Sequence, residues 1–350
     1  MNHIKNLFVA LAAMTCLSAS AADKNTEGLS YFLPKTAVRM SLLVEKKTTE
    51  PGQLAEFSDL YFKMPATTAK QTDYRIVGIR FSTVGLPDAS HQYSVAIDKK
   101  HSVVSVDCDA NGVLRAINTR APKGQEPEAF KAAPHAPALN PRDFMSQDIL
   151  SAGNLPKMAQ LVAQEIYDIR DSRNQLSRGE ADFMPKDGEQ LRLMYSQLNT
   201  QEDALMQLFQ GTTKTDTTET VLTFVPEKGM QNNVLFRFSK KFGLLTADDL
   251  SGEPYVVSVD DLATTPSLPE TPEAAKKEKD DFQLGICMPG KIRLTLSTSG
   301  SNIASYEAYA AQFGKVEMLS GSLFGKKFTS KIVLDPATGS VVELKTEPLE

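Results

Sequence analysis

Three small constellations in this sequence combine residue types and spacings that could do chemistry. The first is Arg170 and Arg173 on one helical pattern with Glu202 on the next. Each lies on or beside a hydrophobic stripe, where an unpaired buried charge costs several kcal/mol, so each must find a partner or reach water. A pair of guanidinium groups so placed suits bidentate capture of a carboxylate or phosphate. The bland role for the same residues is a structural brace. The second constellation is Asp107, Asp109 and Asn111, at positions one, three and five of a loop with Gly112 at six, as a calcium loop begins. Arg115 at position nine and Asn118 in place of the bidentate twelfth Glu oppose the metal, and Asn111-Gly112 is equally a hairpin turn. The third is Cys108 and Cys287, which an oxidising compartment would let pair. Strand parity turns Cys108 inward and Cys287 outward, which favours two free thiols.

Other chemistry leaves little trace. His91, His101 and His135 sit on strand edges or in a linker, without metal-ligand spacing. "GICMPGKI" matches the glycines and lysine of a phosphate loop, but Ile292 replaces the Ser/Thr and a strand follows, so the helix N-terminus that would cradle an anion is missing. No G-x-S-x-G elbow occurs. Among 43 Asp and Glu residues the sequence singles out no pair for glycoside hydrolysis. Catalytic residues are thus unknown, and no cofactor is expected beyond the weak calcium loop.

The elements that must position these residues are legible. Val38, Met40 and Leu42 alternate with Arg39 and Ser41, a half-buried strand. "PGQLAEFSDLYF" has helical spacing behind Pro51. "YRIVGIRFSTVGL", "QYSVAI" and "SVVSVDC" are strands, and "DANG" turns the last into another. Two long helices are expected over Pro156–Ser177 and Gly188–Gln210. Their apolar stripes run through Val162, Ile166, Ile169 and Leu176, and through Leu191, Met194, Leu198, Leu205 and Phe209. With a turn near 179–187, Glu202 falls opposite Gln164, roughly 10 Å along the axis from Arg173 at 1.5 Å per residue. The count therefore predicts separate partners, with Glu180 and Asp182 local to Arg173. Strands are expected again in "TTETVLTFVP", "NVLFRFS", "YVVSV" and "FQLGICMPGKIRLTLSTS", then a helix in "SNIASYEAYAAQFG" and a hairpin in "KIVLDPATGSVVEL".

Two Pro-rich stretches divide the chain. The expected organisation is a signal peptide at 1–21, an N-terminal α+β domain at 22–120, a linker at 121–143, a helical hairpin at 144–211 and a C-terminal α+β domain at 212–350 containing a linker at 261–281. The fold class is α+β: two mainly antiparallel sheet units, each with a helix, flanking a central antiparallel helical hairpin. Val38–Leu42 and Ile292–Leu296 match in kind at every position, which raises an internal duplication.

The first residues speak to compartment. Lys5 precedes "LFVALAAMTCLS", an apolar run well short of the ~20 residues that span a bilayer, and Ala19-Ser20-Ala21 supplies a cleavage site. Anchoring as a lipoprotein through Cys16 is the weaker reading, because Thr15 fits a lipobox poorly. Export to the periplasm or outside the cell follows, with no membrane span after cleavage. A formal charge of −5 and the lack of a basic cluster disfavour nucleic acid, which is not expected as a partner. The absence of Trp weighs against a carbohydrate platform.

"IYDIRDSRNQLSRGEADFMPKDGEQL", "EDALMQLFQGTT" and "YFLPKTAVRMSLLVE" together resemble an uncharacterised family of exported proteins from Gram-negative gut bacteria, domain of unknown function 4831. The resemblance covers nearly the whole mature chain. It implies an exported protein and carries over no site residue. The residues thus favour a non-enzymatic envelope protein that binds a small molecule or another envelope protein. A secreted hydrolase with a carboxylate pair in an inter-domain cleft, or a structural and assembly component, are the alternatives.

Overall fold

The computed structural model describes residues 28–65, 68–96, 102–124, 130–132, 134, 138–185, 187–265, 284–325 and 327–348. The expected signal peptide, Cys16, His101, His135 and most of the linker 261–281 lie outside them. In chain order the described elements are β1 (Gly28–Glu50), α1 (Ser58–Phe62), β2 (Gln71–Ala96), β3 (Val106–Cys108), β4 (Leu114–Ile117), α2 (Gln147–Leu150), α3 (Leu155–Arg178) and α4 (Gly188–Gln210). They continue with β5 (Thr212–Phe224), β6 (Asn233–Ser239), β7 (Gly243–Leu245), β8 (Glu253–Asp261), β9 (Leu284–Thr298), β10 (Ser301–Leu319), β11 (Phe328–Leu334) and β12 (Val341–Pro348). The mixture of helices with three antiparallel sheets matches the expected α+β class.

The sheets are ordered β2-β1-β5, β10-β9-β8-β6-β7 and β12-β11-β4-β3. Alternation in β1 explains why the first two stack. Val38, Met40, Leu42 and Val44 are buried, and they pack on Val257, Ile292, Leu294, Leu296, Phe236 and Phe238 of the second sheet. The third sheet closes one end of this sandwich over Tyr31, Leu33, Val95, Leu284 and Cys287.

The helices occupy the other end. Their core joins Val162, Ile166 and Ile169 of α3 to Leu205, Met206 and Phe209 of α4, with Leu54, Phe57, Tyr61 and Phe62 beneath. Cap chemistry sets the limits. Asn154 Oδ1 accepts from Lys157 N at 2.9 Å, Asp187 Oδ1 accepts from Gln190 N at 2.7 Å, and Gly179 closes α3 in the left-handed region. Gly211 has φ +79° and sits where a Cβ would meet Glu50 O at 2.0 Å, so the exit from α4 packs directly on the end of β1.

Three expectations are corrected. The helical pair is not clamped between sheet units; the apolar faces of the sheets cover each other, and the helices build a separate core on the α1 region. The boundaries at 120 and 212 do not separate sheets, since β5 pairs with β1 over Val38–Glu50 and β4 pairs with β11 at Ile117 and Ile332. "SNIASYEAYAAQFG" is strand, not helix: it pairs with β9, and Tyr306 stacks on Phe81 at 5.4 Å across the sandwich. Duplication of whole units fails with it. The partner flanking β1 opposite β2 comes later in the chain, whereas the one flanking β9 opposite β10 comes earlier.

Candidate functional site

Two long antiparallel ribbons, β1–β2 and β9–β10, are interrupted in the same way. Phe32 pairs with Gln92 and Pro34 with Pro87, so Asp88–His91 stand against the single residue Leu33. Gly290 pairs with Ala310 and Met288 with Lys315, so Ala311–Gly314 stand against the single residue Pro289. Proline has no N–H to give a ladder, which locates both bulges, and a bulge re-aims side chains that a regular strand would space evenly. The two bulges meet. Leu33, Pro34, Asp88 and His91 line a cavity of about 330 Å³ together with Cys287, Ala311, Gln312, Gly314, Lys315 and Val316. That volume lies within the range of small-molecule sites. Across β9 a second groove of about 450 Å³ uses Cys287 and Pro289 from the same stretch. The buried hydroxyl of Thr265, in the wall of that groove, has no hydrogen-bond partner among the described residues.

The first groove has defined polarity. Asp88 Oδ1 accepts from Ser90 N at 3.1 Å and Ser90 Oγ at 2.6 Å, and Asp88 Oδ2 lies 2.8 Å from His91 Nδ1. A carboxylate only accepts, so the imidazole proton sits on Nδ1 and Nε2 is left for a ligand. Burial pushes the Asp88 carboxyl up, but hydrogen bonds from Ser90 and His91 outweigh it and hold the group below the ordinary range. Lys315 Nζ, 2.7 Å from Glu317, adds a cation at the rim. Cys287 is a floor and not a nucleophile. Burial, aided by the Asp88 charge, pushes its thiol up to about 11, so it stays protonated at neutral pH.

The Gln312 wall is locked. Gln312 Oε1 accepts from Thr36 N at 3.0 Å, while Nε2 donates to Thr36 O and to Pro226 O, each at 2.9 Å. Buried Thr36 donates its hydroxyl to Ala337 O at 2.7 Å and accepts from Ala311 N at 2.9 Å.

The sequence-predicted residues fall elsewhere. Arg170, Arg173 and Glu202 do come together on the helical pair. Arg170 Nε donates to Glu202 Oε1 and Arg173 Nη1 to Glu202 Oε2, both at 2.7 Å, and Arg173 Nη1 also donates to Asn199 Oδ1 at 2.9 Å. The Arg170 guanidinium lies over the rings of Phe62 and Tyr167, at 5.4 and 5.8 Å. The prediction of separate partners is thus corrected, and Glu180 pairs with Arg178 instead. A symmetric turn was the faulty premise. The start of α4, from Gly188 to Leu193, is mostly exposed and overhangs the end of α3, which slides Asn199 and Glu202 toward Arg170 and Arg173. From Pro34 to Glu50, β1 alone spans roughly 50 Å at ~3.3 Å per residue, so this cluster and the groove are separate sites.

The acidic loop is a β3–β4 turn. Asp109 Oδ1 accepts from Asn111 N at 2.8 Å and Val113 N at 2.9 Å, and Asp107 Oδ2 accepts from Ala121 N at 2.9 Å, so backbone N–H groups take one oxygen of each aspartate. Among the described residues no cluster of three or more His, Cys, Asp or Glu is arranged to hold a metal ion. Both cysteines are free. Cys108 is half-buried, and Cys287, expected to face outward, is 4% exposed. The loop after β11 covers it, with Cys287 N donating to Gly339 O at 3.1 Å. Both pack on the core containing Tyr31, whose hydroxyl donates to Gly285 O and accepts from Gly285 N; burial pushes that phenol well above its ordinary value.

Asp88, His91 and Lys315 were missed because His91 alone gives no metal spacing and Lys315 is far away in sequence. The local run Pro87-Asp88-Ala89-Ser90-His91, with acid and imidazole three apart, was the available signal. Among the described residues, no helix is long and apolar enough to cross a membrane.

Compared with known proteins, residues 27–342 match the family model described as Domain of unknown function (DUF4831), and the chain belongs to that family. Neither the curated proteins nor the solved structures yield a match to it.

Proposed function

We propose that this member of the family is a non-enzymatic binding protein of the cell envelope that holds a small ligand between its two bulged ribbons. One observation carries the reading: the two interruptions, far apart in sequence, converge on one cavity. The ligand has a head that both donates and accepts, such as a hydroxy acid, whose hydroxyl donates to His91 Nε2 and whose carboxylate accepts from Lys315 Nζ, and a compact apolar body against Leu33, Pro34, Ala311 and Val316. Export rests on the N-terminal pattern of Lys5, the apolar run and Ala19-Ser20-Ala21. The α3–α4 pair is an antiparallel hairpin whose Arg170, Arg173 and Glu202 brace it, because their charges are spent on one another.

The hydrolase reading is weaker. A glycosidase needs a second acid across from the first, and Asp88 is the one carboxylate lining the three grooves described, the third lying between α3 and α4. The test is a panel of small carboxylates and phosphates titrated against the chain, followed through the His91 ring resonances and the melting temperature. Binding should move both in wild type, and should leave the melting temperature of His91→Ala unmoved. Resonances unmoved by the whole panel would end the proposal.

A further inference from the structure

A second feature lies outside the groove. Among the described residues β12 is the terminal strand of its sheet, bonded to β11 on one side only, and all eight of its residues are exposed. Leu344, on the face shared with buried Ile332, is 49% exposed, and Val342, at the bulge where the register with β11 shifts, is 66% exposed. Such an edge offers a row of unpaired backbone groups to another strand. What the edge fits is written in its charges. Glu343 and Lys345 flank Leu344 symmetrically, so an antiparallel copy centred on Leu344 places each Glu343 opposite the other's Lys345. It also sets Leu344 on Leu344, so that the apolar side chain of one copy covers that of the other.

Neighbouring registers fail. Centring on Glu343 or Lys345 opposes like charges, and a slip between residues brings the apolar face of one copy against the polar face of the other. An edge meant for a foreign strand has no reason to be complementary to itself about a two-fold axis. We propose that two copies of this chain pair antiparallel through β12, joining their four-stranded sheets into one. In the single chain Glu343 and Lys345 satisfy each other, and Lys331 holds Glu347 at 2.7 Å. Pairing exchanges the first of these contacts, one in each chain, for two across the axis.

The test is sedimentation of the chain over a range of concentrations up to high micromolar. Wild type should show a reversible monomer–dimer equilibrium. Glu343→Lys and Lys345→Glu should each weaken it by about tenfold or more while leaving the melting temperature unchanged, since both residues are exposed. The double swap, and an equimolar mixture of the two single variants, should restore dimers. A chain that stays monomeric throughout, a dimer indifferent to both substitutions, or a monomer whose edge is filled by a different protein would each overturn the inference.

Discussion

The two bulged ribbons differ in how their polar groups are used. In β9–β10 the bulge is consumed by structure: Phe313 is buried, and Ala311 N and the Gln312 amide are tied to Thr36. In β1–β2 the bulge is mostly exposed and bonded largely within itself, through Asp88, Ser90 and His91. The same device thus builds a wall in one place and presents a titratable pair in the other. What separates them is whether the extra residues meet backbone or water.

That contrast is open to measurement by chemical denaturation. The largest effect belongs to Gly314→Ala, because a Cβ there would stand 1.8 Å from Met288 O and the backbone must move; a loss of about 4 kcal/mol is expected. Thr36→Val keeps the shape but strands Ala311 N and Ala337 O, and should cost about 3 kcal/mol. If Ser90→Ala cost as much, the distinction between wall and presenter would collapse. Outside both ribbons, Glu202→Ala leaves two guanidinium groups without their shared acceptor and should cost about 2 kcal/mol. The smallest effect is that of Asp88→Asn. The wild-type carboxyl is held below its unfolded value, so its contribution is present above about pH 4 and disappears as pH falls through the lower folded value. Melting curves of the two proteins should differ slightly at neutral pH and converge in acid. A gap that persists at low pH would mean the carboxylate does not act through its charge.

Much of the fold was readable where the cause is local. The apolar stripes place both long helices within a residue or two of where they are found. Asp109 and Gly112 make the β3–β4 turn, and alternation in Val38–Leu42 makes β1. The failures are cases where distant chain decides. Ala304, Ala308 and Ala310 favour a helix in isolation, yet the free edge of β9 and the ring of Phe81 make them strand. Ladder pairing likewise merges the two stretches expected as separate strands into β2 across its bulge. The groove was illegible for the same reason: His91 acquires meaning only when β10 brings Lys315 to the same cavity.

The pairing of β1 with β5 has a consequence for how the chain reaches this state. Thr49 and Thr213 touch although 164 residues separate them, and Asn118 reaches Thr329 across 211. Such loops are entropically dear to close, so acquisition of the native topology is governed by contact order and is slow. A ribosome has made more than half the protein before β1 can meet its second neighbour. Fragments ending before residue 212 should aggregate instead of maturing, which makes the interval of synthesis itself the period of greatest hazard.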